Sequence, residues 1–251
     1  EAAVNVCRGV GCMHESDREV ERTELLGVRI DRLDVPTTLD VLRRWLREDQ
    51  PHLIATADAS AVVIAQDDPD FRQLLRDADM VTPDGSGILL ASRMLGGSIT
   101  ERVSGVDISR AVCAMAAEEG VGVFLFGSAP GVADEAALRL QADLPKLRIV
   151  GTRHGFYEPA DVPGIVAAVR ESGAKVLLVA LGIPKQEKFI QDHLKELGAA
   201  VAIGVGGTLD VFAGKAKRAS EWMQRHGLEW LYRLGQNPRK ITKVATLPRF
   251  L

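Results

Sequence analysis

Short apolar runs alternate with amphipathic stretches along most of the chain. Several runs are continuous and rich in Val, Ile, Leu and Ala, which is typical of strands buried on both faces of a parallel sheet. The predicted strands are 25–30, 52–56, 80–82, 121–126, 147–151, 176–181 and 200–205. The predicted helices are 38–47, 59–66, 71–76, 88–94, 108–118, 132–143, 162–172 and 185–196. This alternation predicts an α/β fold, a mostly parallel Rossmann-like sheet with helices on both faces.

The elements predict one α/β domain over residues 24–212, within the size that 251 residues allow. Residues 1–23 mix small and charged residues without period, and we expect a mobile lead-in. Residues 213–251 are expected to form a basic helical appendage. No apolar run reaches the roughly 18–20 residues of a membrane span. Three scattered cysteines and no signal-peptide core favour a cytoplasmic location.

Charge is distributed unevenly. Residues 213–251 hold nine basic and two acidic residues, a net charge of +7, whereas the whole chain carries −3. Trp230, Leu231 and Leu234 share one helical side there, flanked by Arg225 and Arg233. Such a segment is typical of an interfacial helix on an anionic membrane. Two alternatives remain: a helix docked on its own domain, or one whose arginines grip a membrane-linked diphosphate at the rim of a site.

Five predicted strand exits carry polar or glycine-rich segments. They are 56–58, 82–87, 127–131, 182–186 and 204–207. In an open parallel sheet, ligands bind beyond the carboxyl ends of the strands. Glycine lets a phosphate approach the backbone, and the following helix offers unpaired N–H groups. These exits together predict a nucleotide or diphosphate site, although βα turns need glycine for structural reasons as well.

Three polar residues near these exits are candidates for chemistry. Asp84, in a Pro-Asp-Gly turn, is either a turn-forming acid or a general base at the sheet edge. Arg102 is either a surface residue or a fork for a phosphate or the reacting sugar. Gln186 is either an ordinary first-turn residue or an amide that reads a hydroxyl.

Other motifs argue against several enzyme classes. The pair Asp68 and Asp70 fits a helix N-cap with Pro69 at the first helical position better than a metal site. Histidines and cysteines lack zinc-like spacing, so no metal is expected. The sequence contains no Gly-x-Ser-x-Gly, no P-loop and no Gly-x-Gly-x-x-Gly motif, which disfavours a triad hydrolase, a P-loop NTPase and a typical NAD enzyme.

A set of segments in matching order resembles the WecG/TagA/CpsF glycosyltransferases, bacterial enzymes of cell-surface polymer assembly. The segments are 82–85, 102–107, 124–127, 181–187, 204–210, 218–219 and 228–234. They extend the resemblance from residue 25 to about residue 240. Each is weak alone, but their combination and order are specific.

The resemblance implies transfer of a sugar, often of the N-acetylmannosamine type, from a UDP-sugar to a sugar on undecaprenyl diphosphate. The reaction would invert the anomeric centre and need neither metal nor cofactor. The family's base matches Asp84, and its active-site Thr, Arg and Gln match Thr56, Arg102 and Gln186. Further expected substrate-binding residues are Asp58, Gly85, Gly127, Gly182, Lys185, Gly206, Gly207 and Asp210. The expected diphosphate ligands are Arg218, Arg225 and Arg233.

The chain departs from the family pattern at two positions. Asp58 replaces the family's asparagine in the Thr-x-Asn segment, and Ser220 stands where proline usually follows Arg-Ala. The appendage implies association with the inner face of the cell membrane, no nucleic-acid partner is expected, and a homo-oligomer is left open. Two other functions stay open at this point: a non-catalytic nucleotide-binding regulator and a divergent NAD(P)-dependent oxidoreductase.

Overall fold

A computed structural model describes residues 21–48, 50–96, 99, 101–219, 222–223 and 232. Its strands β1 to β8 are Glu21–Leu25, Val28–Arg32, His52–Ala57, Met80–Pro83, Gly122–Gly127, Arg148–Arg153, Val176–Ala180 and Val201–Gly204. Its helices α1 to α9 are Val35–Trp45, Ala59–Asp67, Pro69–Asp77, Ser86–Met94, Gly105–Glu119, Val132–Asp143, Val162–Glu171, Lys185–Leu197 and Thr208–Phe212. The predicted α/β class is confirmed.

Strands β3 to β8 form one parallel sheet in the order β4-β3-β8-β7-β5-β6. Strands β1 and β2 form a separate antiparallel hairpin. Because the six strands are parallel, their carboxyl ends meet at one edge of the sheet. Consecutive helices pass to opposite faces at several of these ends, which opens crevices between neighbouring strands.

The sheet separates two hydrophobic cores. Helices α2, α3, α4, α7 and α8 cover one face, and α1, α5, α6 and α9 cover the other. Strand β7 shows the alternation directly, since Leu177 and Val179 face the first core while Val176 and Leu178 face the second. Cys113 lies in the second core, where burial raises the pKa of its thiol to about 12.

The hairpin is tied to the sheet by a buried ion pair. Asp31 is fully buried and accepts hydrogen bonds from Arg29 and, at 2.8 Å, from the backbone N–H of Val81. Arg29 also donates to the carbonyl oxygens of Ala78 and Asp79, just before β4. These bonds stabilise the amino end of β4 from the outside of the sheet.

The structure differs from the sequence-based prediction most clearly near the first described residues and after β8. A strand over 25–30 is wrong, because Leu26 and Gly27 form a tight turn with positive φ angles of 52° and 77°. Strand β1 begins at Glu21, three residues before the predicted start of the α/β domain at residue 24. Helix α9 was not predicted, since five residues are too few to show helical periodicity.

Asp68 caps α3 as predicted, accepting from the N–H of Phe71 at 2.9 Å, and Pro69 opens the helix. Most of the predicted lead-in, and most of the appendage after residue 219, lie outside the described residues. Within the described ranges, no helix combines the length and apolarity that crossing a bilayer requires.

Candidate active site

Strands β3 and β4 end side by side and bring two predicted site residues together. Thr56 and Thr82 are partners in the parallel register, and Asp84 is the residue directly after β4. The backbone N–H of Asp84 donates to the carbonyl of Ala57 at 2.9 Å, so the turn after β4 is held to the end of β3. Asp84 is half-buried at this edge.

The carboxylate of Asp84 is held by the first residue of α5. The N–H of Gly105 donates to Oδ2 of Asp84 at 3.1 Å. A Cβ at position 105 would lie 3.3 Å from that oxygen and 3.5 Å from Cγ2 of Thr56. The helix start therefore packs directly against both side chains, and glycine permits this close approach. The positive end of the helix dipole therefore also lies beside this carboxylate.

Thr56 links β3 to the neighbouring strand β8. Its hydroxyl is buried and donates to the carbonyl of Gly204 at 2.7 Å. Gly204 is packed in turn against Gln186, since a Cβ there would lie 2.7 Å from Nε2 of that residue. Thr56 thus positions the exits of β3 and β8 relative to each other.

Gln186 joins the loops that follow β7 and β8. Its Oε1 accepts from the N–H of Gly182 at 3.1 Å and from that of Gly206 at 2.9 Å, and its Nε2 donates to Glu187 at 2.7 Å. The side chain is fully buried. This geometry supports a role in shaping the loops, whereas contact with a substrate hydroxyl would need the side chain to be accessible.

The exit of β5 is built by a close approach of two backbones. Gly127 has φ of 131°, and a Cβ there would lie 2.4 Å from the carbonyl oxygen of Ala180 in β7. Ser128 follows with φ of 58°, and its hydroxyl lies 3.4 Å from Oδ2 of Asp210. Gly127 and Asp210 therefore belong to the same part of the edge.

Open space lies beside the remaining predicted glycines. A Cβ at Gly85, Gly182, Gly206 or Gly207 would meet no described heavy atom within 4 Å. These four glycines follow β4, β7 and β8, so the space lies along the edge that Asp84 adjoins. The carboxyl edge therefore combines a held carboxylate with room for a ligand.

The structure gives Asp58 a local partner. Asp58 is the N-cap of α2 and accepts hydrogen bonds from the N–H of Ala61 at 3.0 Å and from the hydroxyl of Ser60. Asn and Asp serve as N-caps about equally well. Asp58 therefore performs a capping function that an asparagine at this position could perform equally well, and the helix start offsets part of the negative charge.

The predicted basic residues occupy different surroundings. Lys185 is exposed at the start of α8, and Arg102 is half-buried in the loop before α5. Arg218 forms a bidentate pair with Asp107 of α5, with N–O distances of 2.5 and 2.6 Å. The predicted diphosphate ligands Arg225 and Arg233 lie outside the described residues.

Sequence reasoning missed several residues of this edge. Gly105 and Ser128 were not predicted as site residues, and neither was His154, which follows β6 and has a buried Nδ1 with no hydrogen-bond partner in the described structure. A glycine opening a helix shortly after a polar loop is a weak signal for Gly105.

A separate groove of about 410 Å³ lies between α5, α6 and α9. Asp107, Arg110, Arg139, Asp143 and Arg218 supply its charged side chains. We do not place the reaction there, because Asp84 and the open glycines lie elsewhere. Among the described side chains, no three His, Cys, Asp or Glu residues gather as metal ligands would.

The model of one protein family matches nearly the whole chain. The family is described as the glycosyl transferase WecG/TagA/CpsF family, and the match covers residues 23–251. It includes all the strand exits described above and the segment that follows α9. Glycosyl transfer is therefore favoured over both the nucleotide-binding regulator and the oxidoreductase. The carboxyl-edge carboxylate, the glycine-lined space and this match agree, and the chain belongs to the glycosyl transferase WecG/TagA/CpsF family.

Proposed function

We propose that the protein is an inverting, metal-independent glycosyltransferase that uses Asp84 as general base. It moves a sugar, of the N-acetylmannosamine type, from a UDP-sugar to the hydroxyl of a sugar carried on undecaprenyl diphosphate. Family membership supports sugar donor and acceptor substrates in general. The particular donor, acceptor and stereochemistry are part of the proposal.

The held carboxylate of Asp84 is the observation that carries the proposal. One oxygen accepts the N–H of Gly105, and the adjoining Gly85 borders open space. A general base must be fixed in direction and reachable by the hydroxyl that it deprotonates. Two observations support this role for Asp84: the first residue of α5 holds its carboxylate, and its side chain is only half-buried at the carboxyl edge.

In the proposed reaction the acceptor hydroxyl loses its proton to Asp84 while its oxygen attacks the anomeric carbon. The bond between that carbon and the donor phosphate oxygen breaks, and UDP leaves with the electron pair. Attack from the face opposite UDP inverts the anomeric centre. Base catalysis of this kind contributes about 10²- to 10⁴-fold to a rate.

The leaving diphosphate gains negative charge, so it needs N–H donors or basic side chains beside it. The N–H groups of Gly182 and Gly206 already donate to Gln186. We therefore assign the charge of the leaving diphosphate chiefly to Lys185 at the start of α8 and to the predicted ligands Arg225 and Arg233, and we assign Arg218 to the diphosphate of the acceptor. Charge-assisted bonds from such groups are about twice as strong as neutral ones.

The nucleoside of the donor is placed at the exits of β5 and β8. The Ser128 hydroxyl and the Asp210 carboxylate face each other there, and both are groups that bond ribose hydroxyls. The basic segment 213–251 is assigned to an anionic membrane on the cytoplasmic side. Deleting it is expected to abolish co-sedimentation with vesicles that contain anionic lipid, and unchanged co-sedimentation would contradict this assignment.

The central test combines a lipid-diphosphate-linked sugar with a panel of UDP-sugars, and product is detected by mass spectrometry. Asp84→Asn is expected to lower the transfer rate by about 10²- to 10⁴-fold. UDP binding, measured by calorimetry, is expected to stay within twofold, because the amide keeps the shape of the side chain.

Asp77→Asn is the matched control, since Asp77 is an exposed acid at the end of α3, just before the same strand β4. It is expected to transfer sugar at the wild-type rate. Full activity in Asp84→Asn would remove Asp84 from the mechanism. Absence of product from wild-type protein with every donor would contradict the proposed substrates.

A further inference from the structure

The first turn of α5 is held from two sides. Gly105, its first residue, donates to Asp84 and packs against Thr56. Asp107, two residues later, binds Arg218 through both carboxylate oxygens. Residues two apart on a helix point about 200° apart around its axis. One side of the turn therefore faces the catalytic carboxylate, and the other faces the start of the basic segment.

The pair between Asp107 and Arg218 has the geometry of a strong contact. Nη1 of Arg218 donates to Oδ1 of Asp107 at 2.5 Å, and Nη2 donates to Oδ2 at 2.6 Å. The side chains are 45% and 24% exposed, so water screens the pair only in part. The two residues are 111 positions apart in sequence, so the contact joins distant parts of the chain.

A second ion pair on the same helix, between Arg110 and Asp143, provides a comparison for the pair between Asp107 and Arg218. Arg110 of α5 binds Asp143 at the end of α6 at 2.8 Å, and these side chains are 57% and 52% exposed. It borders the same groove. Among the described residues, Arg110 forms one ion pair, with Asp143, and it lies farther along the helix from Gly105 than Asp107 does, so its loss should leave the first turn of α5 in place.

We propose that Asp107 is a positioning residue for sugar transfer: it clasps Arg218 and so holds the start of segment 213–251 against the helix turn that holds Asp84. The inference rests on the proposed function, because transfer to a diphosphate-linked acceptor is one of its readouts. The first turn of α5 therefore connects two features: it holds the carboxylate of Asp84 through Gly105, and it holds the start of the basic segment through Asp107.

The direction in which Asp107→Asn changes the KM for the acceptor distinguishes a positioning role from simple ligand binding by Arg218. Where Arg218 serves only to bind the acceptor diphosphate, Asp107→Asn releases a competing carboxylate, and the KM for the acceptor falls. Where Asp107 positions the segment, the same substitution raises that KM. We expect a rise of about tenfold, the loss of one bidentate charged contact, with the KM for the UDP-sugar within twofold of wild type.

The partner variant and a control complete the design. Arg218→Gln is expected to raise the acceptor KM to a similar degree, and the double variant Asp107→Asn with Arg218→Gln should cost no more than either single change. Arg110→Gln, which breaks the neighbouring pair on the same helix, should leave both KM values unchanged. An acceptor KM that falls or stays constant in Asp107→Asn overturns the proposal.

Amide hydrogen exchange provides a readout that does not depend on transfer. The N–H of Gly105 and its neighbours in the first turn of α5 are expected to exchange at least about fivefold faster in Asp107→Asn, and at the wild-type rate in Arg110→Gln. Unchanged exchange in Asp107→Asn overturns the clasp. Should wild-type protein show no transfer, the proposed function fails, and exchange alone then decides whether the clasp exists.

Discussion

The two edges of the parallel sheet use polar residues in different ways. At the amino edge, side chains contact one another as well as the backbone: His52 stacks on Trp45 with ring centroids 4.2 Å apart and lies between Glu48 and Asp79, and Asp79 also accepts from the N–H of Leu53. At the carboxyl edge, the site side chains bind backbone groups of neighbouring loops. Thr56 donates to the carbonyl of Gly204, and Asp84 accepts from the N–H of Gly105.

The amino edge of the sheet therefore contributes mainly packing contacts, whereas the carboxyl edge carries the residues proposed for the reaction. At the amino edge, the ring and carboxylate contacts pack the start of β3 against α1 and the residues before β4. Bonds to backbone at the carboxyl edge set the shape of the loops, and they leave open space beside four glycines. Substitutions at the amino edge should therefore lower the free energy of unfolding alone, whereas those at the carboxyl edge should lower the rate of transfer and, where a buried hydrogen bond is lost, the free energy of unfolding as well.

The largest effect is expected from Gln186→Leu, which tests whether a carboxyl-edge residue also bears on stability. The backbone N–H groups of Gly182 and Gly206 both lose their acceptor in a buried place. An unsatisfied buried group costs about 1–3 kcal/mol, so we expect a loss of about 2–4 kcal/mol in the free energy of unfolding.

Urea unfolding followed by circular dichroism measures that loss. Gln73→Leu is the control, because Gln73 is exposed and bonds only Asp77 among the described side chains. It is expected to change the free energy of unfolding by less than about 0.5 kcal/mol. Equal stability of the two variants would mean that the loops after β7 and β8 hold their shape without Gln186.

Gly105→Ala isolates the catalytic side of the carboxyl edge. The added methyl group would lie 3.3 Å from Oδ2 of Asp84, so the carboxylate must move by a few tenths of an ångström. Because a misplacement of 1 Å costs on the order of 10²-fold, we expect transfer to fall by about tenfold.

The matched substitution is Gly164→Ala in α7, where the methyl group meets open space. It should keep full activity and gain up to about 1 kcal/mol of stability. Steady-state kinetics and thermal unfolding of both variants separate the two effects. A Gly105→Ala enzyme with wild-type kcat would show that the contact with α5 does not direct Asp84.

His52→Ala makes the corresponding change at the amino edge. It removes the stack on Trp45 and the contacts to both carboxylates. We expect a loss of about 1 kcal/mol in stability, within the usual range for a buried single substitution. The kcat and both KM values should equal those of wild type, and a tenfold loss of activity at full folding would break the distinction between the edges.

The smallest effect concerns acid stability. The ammonium of Lys188 and the N–H of Phe71 hold the pKa of the Asp68 carboxyl below its usual range. A lowered pKa in the folded state stabilises the protein above the unfolded pKa of about 3.9, and this contribution is lost as the pH falls through the folded pKa. Asp68→Asn should therefore lower the urea midpoint at pH 7, with a smaller deficit at pH 3. An equal deficit at both pH values would show that the charge of Asp68 does not contribute.

Much of the fold could be predicted, because its signals are local. Continuous apolar runs marked the six parallel strands, and Asp68 with Pro69 marked the start of α3. Asp84 could be predicted to lie at the carboxyl edge because it follows an apolar run in a turn. The hairpin before α1 was missed, since its turn at Leu26 and Gly27 interrupts a run that reads as one strand.

The details of the site depend on contacts between distant segments. Gln186 is at a helix start in the sequence, but only the pairing of β7 with β8 brings Gly206 to its oxygen. The partner of Arg218 is 111 residues away, and no periodicity in the chain points to Asp107. Sequence reasoning therefore predicted the edge and proposed its base, whereas the structure shows which residues hold the loops and the Asp84 carboxylate in place.

Strand β6 has a consequence for association between copies of the chain. It lies at the border of the sheet, and within the described residues it pairs only with β5, so its outer row of backbone groups is available to another strand. Arg148 and Arg153 bracket it and are both exposed. In an antiparallel pairing of two such strands, Arg148 of one copy would stand opposite Arg153 of the other at both ends. That repulsion opposes ribbon-like growth of the sheet during synthesis and refolding.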